Sequence, residues 1–313
     1  MDRPQHPRAW FRLSQAGALA WALCWVLPAG GGLAARWPAM ALLLAALAGV
    51  PLALGVMTRE LPDGWPGLHR IRMLILPAAA LLALSVLLPP GLAAGLAALP
   101  WLGITLALAR TGVWRLRRTS WRDLGPQTAH AGLVFLAVGG AWAAADRLGL
   151  QVLAFPQAIV QLTAIHFHYA GLFFPLLAGL ALQAWPSRAA AGACILALAA
   201  IPLTALGITA AQVLGWQVLE GLAGAAVALS GWLCAGAYLH PVLRGRLRPV
   251  QRLCWGLMGM ALLFSMSLAM LYALRVWYPL PLLSIPWMRA WHGAANVFGV
   301  AGLGLLGWAL KRS

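Results

Sequence analysis

Long apolar runs, separated by short polar or turn-forming stretches, repeat along the whole chain. Each run holds about 20 residues, the length of helix that crosses a hydrocarbon core of ~30 Å. The pattern predicts an all-α integral membrane protein, with about ten transmembrane helices in a single polytopic domain over residues 1–313. The predicted spans are 13–30, 38–57, 71–89, 91–110, 126–146, 156–183, 189–209, 212–239, 251–277 and 287–310.

The breaks between the runs carry residues that favour turns. They are Pro28 with residues 30–32, Pro62-Asp63-Gly64, Pro89-Pro90-Gly91 and residues 279–286. The first run follows a polar, basic segment and could be taken for a signal peptide. Because a second apolar run follows at once and no small-x-small cleavage site stands out, we expect it to be a retained span.

Composition agrees with the apolar pattern. The chain is 62% hydrophobic and 9% charged, whereas a soluble domain carries about 25% charged residues. Its net charge of +16 would suggest nucleic acid in a soluble protein, but the arginines lie in short loops between apolar runs. We therefore expect the lipid bilayer as the partner and no nucleic acid, with protein partners left open.

The basic residues also predict the orientation in the membrane. With a cytoplasmic N-terminus, only Arg36, Arg147, Arg275 and Arg289 of the 22 lysines and arginines fall outside. Positive loops stay on the cytoplasmic side, so this asymmetry predicts that both termini are cytoplasmic. The four cysteines lie in or at the ends of spans with no CxxC spacing, which favours small buried side chains over a disulfide or thiolate metal site.

The segment Gln161–Gly171 places His166 and His168 near the middle of a predicted span. Ionisable side chains at that depth are costly and are kept mostly where they pair, bind a ligand or line a polar cavity. The two imidazoles are about 200° apart around an ideal helix, so they can serve two sites on opposite faces. Gln161 is predicted to share the face of His168, and Tyr169 that of His166.

Three further polar residues are predicted in the outer halves of later spans. Glu220 is the one carboxylate deep in a span, about 12 Å below its predicted outer end, and His292 and Asn296 lie one turn apart. Their depth resembles that of His166 and His168, which predicts one polar site on three helices. His130 lies toward the cytoplasmic side, and Asp146 beside Arg147 is typical of an interfacial ion pair.

Three roles remain open for these residues. His166, His168 and His292, with Glu220, could ligate a transition metal, and the histidines could ligate haem. Glu220, Asn296, Gln161, Tyr169 and His130 could carry protons or bind a substrate. Alternatively, buried polar groups can serve only as interhelical hydrogen-bond partners.

Two motifs carry a resemblance to a known family. The segments His166-Phe167-His168-Tyr169-Ala170-Gly171 and Trp291-His292-Gly293-Ala294-Ala295-Asn296 resemble the YndJ-like family of bacterial membrane proteins. The resemblance covers most of the chain. It implies the bacterial cytoplasmic membrane, and transport is a role that has been attached to the family.

A second, local resemblance concerns chemistry. The run His166-Phe167-His168-Tyr169 is similar to the helix of haem-copper oxidase subunit I in which two histidines bind different haems. That similarity implies His166 as an active-site haem ligand and His168 as an electron-transfer haem ligand. The chain has no His-His pair for a copper centre and no His-Pro-Glu-x-Tyr run, so the resemblance favours haem or metal binding and is no evidence for oxygen reduction.

The leading hypothesis is therefore a bacterial inner-membrane protein with an intramembrane histidine site for haem or a transition metal. The alternatives are a secondary transporter that uses Glu220 and the histidines, and a membrane scaffold or accessory subunit. The chain contains no nucleotide-binding motif and no nucleophile constellation, and the sequence does not decide whether it is an enzyme.

Overall fold

The computed structural model describes residues 7–26, 33–62, 64–245, 247–278 and 283–311, which contain ten helical segments and no strand. The first five are α1 (Pro7–Cys24), α2 (Leu33–Leu44, Ala45–Gly49 and Val50–Glu60), α3 (Leu68–Leu87), α4 (Leu92–Leu116) and α5 (Leu124–Leu148). The other five are α6 (Gln157–Ala184), α7 (Arg188–Leu214), α8 (Gln217–Leu243), α9 (Pro249–Val276) and α10 (Ile285–Met288, Arg289–Gly293, Ala295–Gly302 and Leu303–Ala309).

The predicted all-α membrane fold is confirmed. Among the described residues, eight helices, α2 to α9, are long and apolar enough to cross a membrane. The spans predicted in α1 and α10 remain predictions. The end of the first predicted span and parts of three predicted turns, at residues 27–32, 63 and 279–282, lie outside the described residues.

One difference between a predicted and an observed boundary changes the place of a candidate residue. The eighth span was predicted to begin at residue 212, but α7 continues to Leu214 and α8 begins at Gln217. Gly215 ends α7 with φ 73°, and its N–H bonds back to the carbonyl of Ala211 across 3.1 Å. Glycine adopts this left-handed conformation without a Cβ clash, so it sets the boundary.

The chain divides into two compact units. The first holds the described residues up to Thr119 together with His130–Phe173, and therefore α1 to α4, most of α5 and the first part of α6. In it α3 packs along α4, α1 packs against α2, and α2 contacts the start of α6. Tyr169 ties α6 to α2 by donating to the carbonyl of Ala41 across 2.9 Å.

The second unit holds Ser120–Ala129 and the described residues from Phe174 onward. Its helices α7, α8 and α9 pack in chain order, and α9 also packs against α10. An aromatic cluster of Trp185, Tyr238, Trp255 and Trp308 joins α8, α9 and α10 to the end of α6, with ring centroids 5.0–5.9 Å apart. Trp308 donates to the Tyr238 hydroxyl across 2.7 Å, and that hydroxyl donates to the carbonyl of Leu177, so these buried polar atoms are paired.

Three helices contain π-helical turns. They lie at Ala45–Gly49 in α2, Tyr169–Phe173 in α6, and Arg289–Gly293 and Ala295–Gly302 in α10. The first two meet, because a Cβ at Gly49 would lie 2.6 Å from Cζ of Phe173. Such turns are frequent at functional sites, and two of the three helices that contain them, α6 and α10, also carry the predicted histidines.

Candidate functional site

His168 is fully buried in the first unit, where both of its ring nitrogens have protein partners. Trp101 of α4 donates its indole N–H to Nε2 across 3.0 Å, and Nδ1 lies 2.7 Å from the carbonyl oxygen of Ala164. Because Nε2 accepts, Nδ1 carries the hydrogen of the neutral ring. A ligand that used Nε2 would therefore have to displace Trp101.

Two adjacent glycines of α5 let that helix approach this pair closely. A Cβ at Gly139 would lie 2.8 Å from Nδ1 of His168, and one at Gly140 would clash with the buried side chain of Thr105. A larger residue at either position would push α5 away from α4 and α6. The close packing of three helices around His168 thus depends on a pair of residues without side chains.

His166 lies on the other side of α6, as its angular separation from His168 predicts. Its side chain is exposed, whereas His168 is buried. Tyr169 does not share the exposed side of His166. It is buried against α2 in the π-helical turn, which alters the angular register that an ideal helix would give. Gln161 is half-buried on α6.

His130 belongs to a second buried cluster in the first unit. Arg115 of α4 donates from Nε to Nε2 of His130 across 2.8 Å and from Nη1 to the carbonyl of Gly64 across 2.7 Å. Its guanidinium lies 4.2 Å from the ring centroid of Trp65, and the hydroxyl of Thr119 lies 3.3 Å from Nδ1 of His130. The guanidinium of Arg115 is thus enclosed by an imidazole, a carbonyl and an aromatic face.

A third polar cluster lies where α5 ends and α6 begins, and it joins the buried Asp146 and Arg147 to the exposed Gln157. Gln157 donates to Oδ1 of Asp146 across 2.8 Å, and Nη1 of Arg147 lies 3.6 Å from Oδ2. Arg147 also donates to the carbonyl of Leu88 across 2.6 Å. The predicted pair of Asp146 and Arg147 is therefore present at the end of α5, and both residues are buried within the protein. The polar side chain eleven residues later, just after Pro156, was the available signal for this cluster.

The three clusters follow one another along α5, and we call them the polar column: Arg115 with His130, Trp101 with His168, and Asp146 with Gln157. His130 begins the series, Gly139 adjoins His168 nine residues later, and Asp146 ends it after seven more. At 1.5 Å per residue, the series extends over about 24 Å of helix. The buried residues Thr105 and Thr111 lie on α4 between Trp101 and Arg115.

In the second unit, His292 and Asn296 come together around Ser265 of α9. Nδ1 of His292 lies 2.8 Å from the carbonyl oxygen of Ser265, and the Ser265 hydroxyl donates to Oδ1 of Asn296 across 3.4 Å. The amide of Asn296 donates to the carbonyl of His292 across 2.7 Å. Nε2 of His292 has no partner within the described part of the chain.

Glu220 lies in the first turn of α8, which corrects its predicted depth of about 12 Å within a span. Its carboxylate forms an ion pair with Arg275 of α9, and the Arg275 guanidinium lies over the ring of Tyr272 at 3.7 Å. Both charged side chains are partly exposed, at 21% and 29%. A carboxylate at a helix N-terminus next to an arginine needs no further ligand for its stability.

The predicted five-residue site is divided between the units: His166 and His168 lie in the first, and Glu220, His292 and Asn296 in the second. Within the described ranges, no three histidine, cysteine, aspartate or glutamate side chains form a group that could hold a metal ion. Ligation by His166, His168, His292 and Glu220 stays a prediction.

Comparison with known proteins identifies the family. Residues 40–300 match the YndJ-like protein family, a range that includes both histidine motifs. The chain belongs to the YndJ-like family. It is 29% identical over 226 residues to a YndJ-like relative from Bacillus subtilis (strain 168), the uncharacterized membrane protein YndJ.

That match includes 68% of this YndJ-like chain but 38% of the relative, so the chain spans about two fifths of the relative's length. No solved structure matches. The chain is thus a multi-pass membrane protein of the YndJ-like family, and its buried polar clusters are the features from which an activity can be argued.

Proposed function

We propose that this YndJ-like chain resides in the bacterial cytoplasmic membrane and moves protons, alone or with a small solute, along the polar column. The observation that carries the proposal is the succession of three polar clusters along α5, which α4 and α6 complete with their own side chains. Their extent of about 24 Å is comparable to the ~30 Å of a hydrocarbon core. Buried ionisable groups in membrane helices mark proton and substrate pathways, because a group without such a role is costly to keep there.

The column contains groups suited to proton transfer. The imidazoles of His130 and His168 can bind and release a proton, and Asp146 supplies a carboxylate at one end. When water enters, the hydroxyls of Thr105 and Thr111 can form hydrogen bonds with it and so connect the cluster of His130 to that of His168. In the described conformation, Trp101 occupies Nε2 of His168, so a proton can enter there only after the indole moves.

Trp101 would therefore act as the gate of the pathway. A movement of α4 by the width of one hydrogen bond would free Nε2 of His168. Gly139 leaves no spare room beside the imidazole, so α5 and α6 would hold the ring while α4 moves. This arrangement places the mobile group on one helix and the proton acceptor on another.

Proton flux into proteoliposomes tests the proposal. An imposed pH gradient and an enclosed pH-sensitive dye would report flux, with candidate solutes added outside. We expect flux in the wild-type protein and its loss in His168→Gln, whose amide oxygen can still accept from Trp101, and in Asp146→Asn. Glu220→Gln is the matched control outside the column, and we expect it to keep wild-type flux.

Each other outcome has a definite meaning. Flux that persists in folded His168→Gln and Asp146→Asn proteins would refute the column. If Glu220→Gln lost proton flux while His168→Gln and Asp146→Asn kept it, Glu220 would be the proton-carrying residue. Absence of flux in the wild-type protein under every gradient and solute would leave the scaffold or accessory role.

A second function is favoured by a different observation. Nδ1 of His292 is anchored to the Ser265 carbonyl while Nε2 is without a partner in the described residues, and metal-binding histidines commonly have this arrangement. An apolar cavity of about 310 Å³ lies between the same helices, next to Trp291 and not lined by His292 itself. Its lining is Phe264, Leu268, Leu283, Trp287, Met288 and Trp291. We infer that His292 is the best placed of the predicted histidines to ligate haem or a metal.

An absorption spectrum with elemental analysis tests this second function. We expect a Soret band or stoichiometric metal after purification in mild detergent, and its loss in His292→Ala. His168→Ala is the control and should retain the cofactor, because its ring nitrogens already bond to protein groups. A wild-type protein that stays colourless and metal-free after haem and metal supplementation would contradict the inference.

A further inference from the structure

Five arginines gather where α3 begins and α4 ends in the first unit: Arg70, Arg72, Arg110, Arg117 and Arg118. The two helices are neighbours, so residues far apart in sequence meet at this end. Nη2 of Arg110 lies 3.6 Å from the position that a Cβ would take at Gly67, the residue just before α3. The arginines of both helices therefore form one basic surface.

This basic surface has no carboxylate partner in the described part of the chain. Arg70, Arg110 and Arg117 are exposed and make no hydrogen bond or ion pair with described residues. Arg72 contacts Nδ1 of His69 at 3.2 Å, and Arg118 lies 4.3 Å from the ring centroid of Trp114. Of the described carboxylates nearest in sequence, Glu60 is already paired with Arg59, and Asp123 forms no ion pair with described residues.

An exposed apolar stripe continues from the basic surface along each helix. On α4 it consists of Leu96, Leu99, Leu106 and Val113, which recur at spacings of one helical face together with Arg110 and Arg117. On α3 it consists of Met73, Leu74, Leu81 and Leu84, which follow Arg70. A cationic end above a long apolar stripe matches the two chemical parts of a phospholipid.

We propose that the α3–α4 surface binds an anionic phospholipid. The headgroup phosphate would lie against Arg70, Arg110 and Arg117, and the acyl chains would follow the two apolar stripes. Basic groups next to membrane helices attract anionic headgroups, each adding to the affinity, and zwitterionic lipids lack the net charge that they recognise. The Trp114 ring beside Arg118 suits the interfacial level at which such a headgroup lies.

Lipid binding to the purified protein tests this site. The protein in mild detergent is titrated with phosphatidylglycerol or phosphatidylcholine and followed by native mass spectrometry. We expect the double variant Arg110→Gln/Arg117→Gln to weaken phosphatidylglycerol binding about 25-fold, at about fivefold per arginine. Binding of phosphatidylcholine should not change, and added salt should weaken the anionic lipid selectively.

A second double variant controls for total charge. Arg248→Gln/Arg252→Gln removes two exposed arginines from the start of α9 in the second unit. This variant should bind phosphatidylglycerol at its tightest site with the affinity of the wild-type protein. Equal weakening in both double variants, or equal affinity of the wild-type protein for the two lipids, would overturn the site. If the first double variant does not fold, the exposed single change Arg117→Gln should still weaken binding about fivefold.

Discussion

The indole of Trp101 donates a hydrogen bond to Nε2 of His168, 67 positions later in the chain, and the two ring planes lie 15° apart. Both side chains are fully buried. The carbonyl of Ala164 fixes the other ring nitrogen, so the orientation of the imidazole is set from both sides. The orientation of the His168 ring should therefore be sensitive to single substitutions on α4 and α5.

Trp101→Phe keeps an aromatic ring but removes the N–H that satisfies His168. We expect the free energy of unfolding to fall by about 1–3 kcal/mol, because Nε2 is then buried without a donor. The measurement is thermal unfolding in mild detergent. Trp121→Phe is the control: Trp121 is 79% exposed, and this variant should unfold with the wild-type protein. Equal melting of all three proteins would show that the hydrogen bond contributes nothing.

Gly139→Ala and Gly103→Ala should have opposite effects although both place alanine in a helix. At Gly139 the new methyl would lie 2.8 Å from Nδ1 of His168, so we expect a loss of about 1–3 kcal/mol. At Gly103 nothing lies within 4 Å, and the better helix propensity of alanine should stabilise by up to about 1 kcal/mol. Denaturation of the two variants side by side checks this, and a more stable Gly139→Ala protein would disprove the close contact.

Arg115→Lys keeps the positive charge but loses the forked geometry that contacts His130 and the Gly64 carbonyl at once. We expect a loss of about 1–3 kcal/mol, since one ammonium cannot replace both hydrogen bonds and the contact with Trp65. Arg117→Lys is the matched control two residues away, exposed and without those contacts. Folded yield and melting temperature should separate the two variants, and identical behaviour would contradict a structural role for the guanidinium.

Glu220→Gln should have a small effect on stability. The carboxylate and Arg275 are partly exposed, so solvent screens their attraction and the pair contributes at most about 1 kcal/mol. We expect a slight fall in melting temperature at low ionic strength that diminishes as salt is added. A large, salt-independent loss would instead indicate that Glu220 is enclosed in the membrane-embedded protein.

The helices themselves were predictable, because apolar runs of membrane length leave few alternatives. The opposite sides of His166 and His168 followed from helical geometry alone. Tyr169 was misplaced because the π-helical turn at Tyr169–Phe173 changes the local register, and the apolar sequence gives no sign of that turn. Glu220 was misplaced because residues 210–216 are too apolar to locate the break that Gly215 makes.

The partners of the buried residues could not be predicted. Trp101 and His168 are brought together by the packing of α4 on α6, and no local pattern in the sequence specifies that pairing. The hydrogen bond between Asp146 and Gln157 likewise depends on how the end of α5 meets the start of α6. The choice of partner depends on which helices become neighbours, and local sequence does not specify that.

The π-helical turns also bear on where insertions and deletions can occur in the helices of homologous proteins. A π turn holds one residue more than the α-helical turn it replaces, so losing a single residue there can restore an ordinary turn. Elsewhere in a helix, the same deletion would rotate everything beyond it by about 100° and move its buried face outward. Ala45–Gly49, Tyr169–Phe173 and residues 289–302 are therefore where the helices can gain or lose single residues between homologous proteins while the rest of each helix keeps its neighbours.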